Sequence, residues 1–394
     1  MTGLVVVDTP TDLSIFGQCV VLLLIQAGGL GYMAIATVVA VAMGKQLTLH
    51  ERLTLQEALN VQTMDGLIRF VMNVLKLTLA FELIGAAVLA ARWTGQMGVG
   101  RAAYFGLFHS VSAFNNAGFA LFSDNLIQFR DDPVVNVTIM TLIICGGLGF
   151  VVLTELGRVR RTRRLSVHTR LVLATSAVLV AGMTLAIFAL EYRNPRTIGT
   201  LGLPQALQAA LFQAVSPRTA GFNTVDISTL TPASLFLLMV AMFIGAAPGG
   251  TGGGIKVTTF SITIAALWAT VRGRRDTIVF KRRLPPELVA RAFFVSLIAF
   301  LALNTVAGML LITEGRQLLP TLFETVSAAG TVGLSTGEAG APVSLAGHFS
   351  AAGKVLLIAT MFMGRIGPLT LAVAIARGGT PAPLRYPEGK ILVG

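Results

Sequence analysis

Charge is what this chain has least of. Only 12% of its 394 residues are Asp, Glu, Lys or Arg, about half the share that an ordinary soluble chain carries. Hydrophobic residues make up 54%, and the mean hydropathy is +0.77. So few charges cannot keep so apolar a chain in solution, which excludes a soluble domain and points to a membrane protein crossing several times. Cysteine is nearly missing. Cys19 and Cys145 both lie in apolar runs, so no disulfide framework and no thiolate zinc site is expected. The four histidines, His50, His109, His168 and His348, are scattered and are read neither as metal ligands nor as bases. The first residues show no charged n-region with a cleavage site, so no signal peptide is expected. The charge that exists is lopsided, with 30 Lys and Arg against 18 Asp and Glu and a net charge of +12. In a soluble chain that excess would suggest nucleic acid. In a membrane chain the question is where it sits.

Long apolar runs are what the chain does have. A spanning helix needs about 20 mostly apolar residues to cross a core of about 30 Å. Ser14–Gly44 is uncharged, and uncharged runs recur at Val134–Thr154, Leu171–Leu190, Ile227–Ile255 and Ala292–Thr313. Gly66–Ala91 carries Arg69, Lys76 and Glu82, and Lys354–Ala376 carries Lys354 and Arg365. Seven spans are expected. Ala102–Asn116, Pro204–Ser216 and Leu318–Gly330 are too short to cross, and each ends in a glycine-bearing stretch. They are predicted as re-entrant helices, which membranes tolerate only against protein or a water-filled cavity. Loop charge then sets the orientation. Lys45, Arg52, the runs Arg158–Arg170 and Arg272–Arg291, and the tail residues Arg377, Arg385 and Lys390 supply 18 of the 30 basic residues. The positive-inside rule assigns these segments, and with them the C-terminus, to the cytoplasm. The opposite loops collect acids, among them Asp8, Asp124, Asp132, Glu191, Asp226, Glu314 and Glu338, so the outer face is expected to attract cations.

Three segments read alike: Phe108-His-Ser-Val-Ser through Gly118, Phe212-Gln-Ala-Val-Ser through Gly221, and Phe323-Glu-Thr-Val-Ser through Gly333. Met1-Thr-Gly3 matches the end of the same unit. Glycine clusters beginning at Gly28, Gly146, Gly249 and Gly364 follow these glycines by 25, 28, 28 and 31 residues. Two markers that keep step four times define an internal repeat. Each unit reads as a helix, a re-entrant helix with an extended turn, and a second helix. The expected fold class is therefore an all-α membrane protein of pseudo-fourfold repeats around a central ion pore. Its expected divisions are 1–44 (a partial first repeat), 45–157, 158–271 and 272–394. Glycine takes φ > 0 and permits close backbone approach, so four such turns can aim carbonyl oxygens at one axis. A ring of carbonyls replaces the hydration shell of a permeating cation.

Over essentially its whole length the chain resembles the membrane subunit of the Trk/Ktr/HKT superfamily of potassium transporters, most closely the bacterial Ktr type. The resemblance rests on Thr2–Thr9, Asn116–Phe119, Ser216–Thr224, Thr331–Gly337 and Gly364–Thr370. It implies potassium uptake across the plasma (inner) membrane through a selectivity filter of Thr2, Gly3, Asn116, Ala117, Gly118, Thr219, Ala220, Gly221, Thr331, Val332 and Gly333. A serine at the first glycine position goes with sodium transport in the family, so Gly3 favours potassium. The resemblance further implies a gate in the broken second helix of the third repeat, at Gly249, Gly250, Thr251, Gly252, Gly253, Gly254 and Lys256, with Arg365 close to it. It implies a homodimer on a cytosolic ring of RCK-type regulatory subunits, with any nucleotide (ATP/ADP or NAD type) bound by that ring. This chain would hold no cofactor and no transition metal, only the transported K+. Family members place a spanning helix and a pore helix before the first filter turn, whereas this chain starts at the turn. Met1 is accordingly expected to be internal to a longer native protein, and the carbonyls near Gly3 are expected to lack support.

Plainer readings stand beside these. Arg365 in an apolar span is either a barrier or gate latch, or a structural arginine bonded to carbonyls. The segment Ala247–Lys256 cannot continue a helix and is not a nucleotide P-loop, because Ile255 separates Gly254 from Lys256. Gly29–Ala34 followed by Glu51 fits a loose dinucleotide fingerprint, but the same glycine cluster recurs at matched offsets in later spans. Asn136-Val-Thr138 is a glycosylation match buried in a span. Asn115 and Asn116 either brace the second turn or are ordinary turn residues. The arginine runs Arg158–Arg164 and Arg272–Arg283 are topology signals that meet anionic lipid, or a docking surface for the regulatory ring. Alternatives in function are a sodium-permeable or weakly selective member of the family and a gradient-coupled secondary carrier. Carriers typically show inverted or paired repeats with polar side chains in broken helices. No nucleophile–base pair is found, so no enzyme is expected.

Overall fold

The computed structural model describes residues 1–31, 67–162, 164–337 and 343–367. Outside them lie the second half of Ser14–Gly44, Ala34, Lys45, His50, Glu51, Arg52, Arg163, Glu338, Arg377, Arg385, Lys390 and the end of Lys354–Ala376. After a single helical turn at Thr9–Asp12, the longer helices in chain order are α1 (Ile15–Leu30), α2 (Leu67–Met97), α3 (Val99–Phe114), α4 (Pro133–Leu148), α5 (Phe150–Thr162) and α6 (Val167–Glu191). They continue as α7 (Leu203–Val215), α8 (Pro232–Phe243), α9 (Val257–Val271), α10 (Pro286–Glu314), α11 (Leu318–Gly330) and α12 (Ala351–Ile366). Among the described residues the one sheet is a hairpin pairing Ile278–Val279 with Arg282–Arg283. The protein is an all-α membrane protein.

Helices α2, α6 and α10 have 31, 25 and 29 residues, enough at about 1.5 Å per residue to cross the hydrocarbon. Their outer faces expose large apolar side chains such as Leu83, Val178, Leu185 and Ile312. Water would oppose such continuous apolar surface, and lipid does not. Among the described residues these three are long and apolar enough to span, with α4 and α5 a fourth only if the bent pair is one span. The expected span Val134–Thr154 is corrected here. The chain turns by 103° between α4 and α5, because Gly149 adopts φ 89° and ψ 144° and ends the helix. The apolar run Ile227–Ile255 likewise holds only the 12-residue α8, after which the backbone leaves helical geometry until α9. The boundary expected at residue 157 falls inside α5.

A recurrent clamp joins long helices to the helices that follow the turns. Arg92 near the end of α2 pairs with Asp132 at 2.8 Å, and Asp132 caps α4 through the N–H groups of Val134 and Val135. Glu191 at the end of α6 accepts from the N–H and hydroxyl of Thr231, the cap of α8. Glu314 at the end of α10 accepts from the N–H and hydroxyl of Ser350, the cap of α12. Three of the loop acids, Asp132, Glu191 and Glu314, therefore serve helix ends. Asn136 is a structural residue too: it is buried, and its amide donates to the carbonyls of Phe129, Arg130 and Asp132.

The short helices α3, α7 and α11 occupy the centre. Their repeat phenylalanines Phe108, Phe212 and Phe323 are fully buried. Each helix ends where a repeat turn begins, so its C-terminal partial negative charge faces that turn.

Candidate functional site

The turns share an unusual backbone conformation. Asn116, Thr219 and Thr331, each two residues before a repeat glycine, have φ of 52°, 92° and 52°. Positive φ is uncommon for non-glycine residues. Gly3, Gly118, Gly221 and Gly333 follow with φ of 74°, 75°, 76° and 100°. A methyl group on Gly3 would lie 2.7 Å from the carbonyl oxygen of Ala117, and one on Gly118 would lie 2.9 Å from that of Ala220. One on Gly221 would strike the Val332 carbonyl, and one on Gly333 would strike the Thr2 carbonyl. The four glycines thus close a ring, each facing the carbonyl of the residue just before the next glycine. Segments more than 100 residues apart in the chain meet here, and every filter residue expected from the sequence is in or beside this ring.

The repeat serines explain how the turns are held, a role the sequence did not disclose. Ser112 donates to the carbonyl of Phe119 at 2.7 Å, Ser216 donates to that of Phe222, and Ser327 accepts from the N–H of Gly333 at 3.0 Å. The Phe-x-x-Val-Ser pattern signalled them, since a serine recurs five or six residues before Gly118, Gly221 and Gly333. His109 is buried, with Nδ1 2.7 Å from the Phe105 carbonyl and Nε2 accepting from the N–H of Leu121 at 3.2 Å. It tethers the second turn. Asn115 donates to Glu82 at 2.8 Å, Gln26 at 3.2 Å and the carbonyl of Val111. Glu82 was visible in the sequence only as a charge that weakened a span. The first turn is not unsupported, contrary to expectation. Val5 exchanges backbone and side-chain hydrogen bonds with Ser344, and Asp8 accepts from Ser123 at 2.6 Å.

On one side of the ring lies a cavity of about 530 Å³, lined by all four glycines and by Asp8, Asp124 and Asp226. Each of these acids follows a repeat glycine by five or six residues. Asp132, Glu191 and Glu314 do not line it. The acidity inferred for the outer loops is therefore divided, part facing the cavity and part capping helices.

On the other side lies the glycine-rich loop. Thr251 donates to the carbonyl of Phe114 at 3.0 Å and accepts from Asn116 Nδ2 at 2.8 Å. A methyl on Gly252 would strike Thr219 Oγ1, and one on Gly253 would strike Thr331 Oγ1. The loop is thus packed against the residues that precede three of the four glycines. The bend between α4 and α5 cradles it, because Ala247 N–H donates to Gly147, Thr251 N–H to Gly146, and Phe150 N–H to Gly249. Lys256 Nζ donates to the Gly252 carbonyl at 2.7 Å. Gly249, Gly250 and Gly254 complete the loop, Gly249 and Gly254 with φ of 68°. The Arg365 guanidinium donates to the carbonyls of Thr251 and of Gly28 on α1. All the expected gate residues come together.

A helical membrane scaffold that closes four backbone turns into one ring, between an acid-lined cavity and a glycine loop, defines a class of membrane pathway protein. Comparison with known proteins makes this specific. The family described as "TrkH: Cation transport protein" matches residues 1–378. The chain is 41% identical over its full length to the Ktr system potassium uptake protein B of Bacillus subtilis (strain 168), covering 87% of that protein. It is 39% identical to the protein of the same name from Vibrio alginolyticus, covering all of this chain and 85% of that protein. It is also 32% identical to the potassium/sodium uptake protein NtpJ of Enterococcus hirae, again along its whole length and 87% of the relative. The crystal structure of the potassium transporter TrkH from Vibrio parahaemolyticus shares the fold, with a TM-score of 0.75 and 20% identity over 95% of this chain and 75% of that one. The chain belongs to the TrkH family of cation transport proteins.

Proposed function

We propose that the chain takes up potassium through the ring formed around Gly3, Gly118, Gly221 and Gly333, with the carbonyls of Thr2, Ala117, Ala220 and Val332 contacting the dehydrated ion. The observation that carries this reading is the closed order of the four turns, each presenting a carbonyl at the preceding glycine. Backbone oxygens replace water around a monovalent cation at little reorganisation, and the helix C-termini behind them add favourable potential. Asp8, Asp124 and Asp226 concentrate cations at the outer mouth. The Bacillus subtilis and Vibrio alginolyticus relatives are both named for potassium uptake, which supports potassium as the cargo. The name of the Enterococcus hirae relative keeps sodium as the competing cation.

The four turns with their flanking helices form the four repeat units of one pathway, the first represented from its filter turn onward. The loop Gly249–Lys256 gates it, since it packs against the residues preceding three of the glycines, and Arg365 fastens the loop to α1. The basic segments face the cytoplasm across the plasma membrane, and the chain works as a homodimer on a cytosolic, nucleotide-binding ring of RCK type, meeting anionic lipid along the same basic surfaces. The word "system" in the relatives' names supports a partner subunit. Flux into proteoliposomes tests the cargo. Potassium entry down its gradient, exceeding sodium entry and independent of an imposed sodium or proton gradient, is expected. Entry that requires such a gradient would instead favour the secondary carrier.

A further inference from the structure

Glu324 on α11 is fully buried, one residue after the repeat phenylalanine and nine before Gly333. His109 and Gln213 hold the corresponding places on α3 and α7. The carboxylate of Glu324 reaches two different segments. Oε2 accepts from the hydroxyl of Ser335 at 2.7 Å, and Oε1 accepts from the N–H of Ala346 at 2.8 Å. Ser335, two residues past Gly333, accepts in turn from the N–H groups of Gly337 at 3.0 Å and Leu345 at 2.9 Å. The segment carrying Leu345 and Ala346 also carries Ser344. Its hydroxyl accepts from Val5 N–H at 3.0 Å, and its own N–H donates to the Val5 carbonyl at 2.9 Å. Val5 lies two residues past Gly3.

We infer that Glu324 is a positioning residue that holds two neighbouring turns of the ring, its own fourth turn through Ser335 and the first turn through Ala346 and Ser344, and so sets the spacing on which discrimination between potassium and sodium depends. This rests on the proposed role of the ring. The two turns are adjacent in it: a methyl on Gly333 would lie 3.0 Å from the Gly3 Cα. His109, by contrast, tethers its own turn only. A carboxylate suits the double task because it is acceptor-only and can take both donors without reorienting. An amide in its place must turn its NH2 toward one of them.

The test is the ratio of potassium to sodium uptake by the full chain in proteoliposomes, for wild type, Glu324→Gln, Ser344→Ala and Gly221→Ala, beside thermal stability and yield. Glu324→Gln is expected to lower the ratio about tenfold, the scale of one lost hydrogen bond to a charged group. Ser344→Ala, which removes the hydroxyl that Val5 N–H donates to and keeps the backbone bond to the Val5 carbonyl, loosens only the link to the first turn and should lower it by less. A structural role alone would move stability and total flux and leave the ratio unchanged. Should Glu324→Gln fail to fold, Ser344→Ala decides. If wild type is selective and Gly221→Ala alters the ratio while Glu324→Gln and Ser344→Ala do not, the inference is overturned and the proposed function stands. An unselective wild type overturns both.

Discussion

At Gly221 a methyl group would meet the Val332 carbonyl, and the backbone φ of 76° already disfavours any side chain. The left-handed conformation alone costs roughly 1–2 kcal/mol for an L-residue, and the overlap must displace a carbonyl of the ring. Gly221→Ala is therefore expected to reduce potassium uptake by about tenfold or more, each 1.4 kcal/mol being a factor of ten. Gly157, with nothing within 4 Å of an added methyl, supplies the control, and Gly157→Ala should transport as wild type does. Flux in proteoliposomes, normalised to reconstituted protein, measures both. The repeat glycines were legible in the sequence because a glycine recurs at the matching place of all four units. What holds them was less legible. Ser112, Ser216 and Ser327 stood in the repeat pattern without a stated task, and Glu82 was noticed only as a blemish in a span. Glu82 meets Asn115 33 positions away, and the first turn is held by Val5 and Ser344, 339 positions apart; one-dimensional periodicity does not encode those pairings.

Among the elements, the bend between α4 and α5 and the loop between α8 and α9 form one assembly. The second unit's glycine cluster at Gly146, Gly147 and Gly149 lets backbone meet backbone, so the third unit's loop is fastened to that bend by N–H to carbonyl bonds. The sequence indicated that Ala247–Lys256 could not be helical, since Gly and Pro oppose helix. It did not indicate that the matching cluster in the second unit breaks its helix as well. Composition there still reads as one apolar run, and only the φ of Gly149 turns it. Arg365 is bonded to carbonyls, one on the loop and one on α1. Hydrogen bonds to a charged donor are worth about 1.5–3 kcal/mol each. Arg365→Ala should free the loop and raise unregulated potassium flux by about tenfold, whereas Arg365→Lys, keeping one bond, should raise it less. Equal flux in wild type and Arg365→Ala would leave the arginine a packing role only.

For the whole molecule, the scarcity of charge and its uneven placement become parts of one design. Apolar flanks face lipid, acids flank the cavity on one side of the ring, and the central surfaces are backbone. The overall architecture was legible because four glycine-marked units keep step along the chain. The roles of the loop acids were only half legible, because sequence position alone does not separate a cavity-lining Asp226 from a helix-clamping Glu191. The central claim is that the four turns together form the ion's path. Diffraction from the protein in rubidium or thallium, ions that scatter strongly and replace potassium, tests it most directly. Ion density is expected on the axis among the carbonyls of Thr2, Ala117, Ala220 and Val332, and it should disappear in Gly221→Ala. Density absent from the ring in a preparation that still transports these ions would contradict the account.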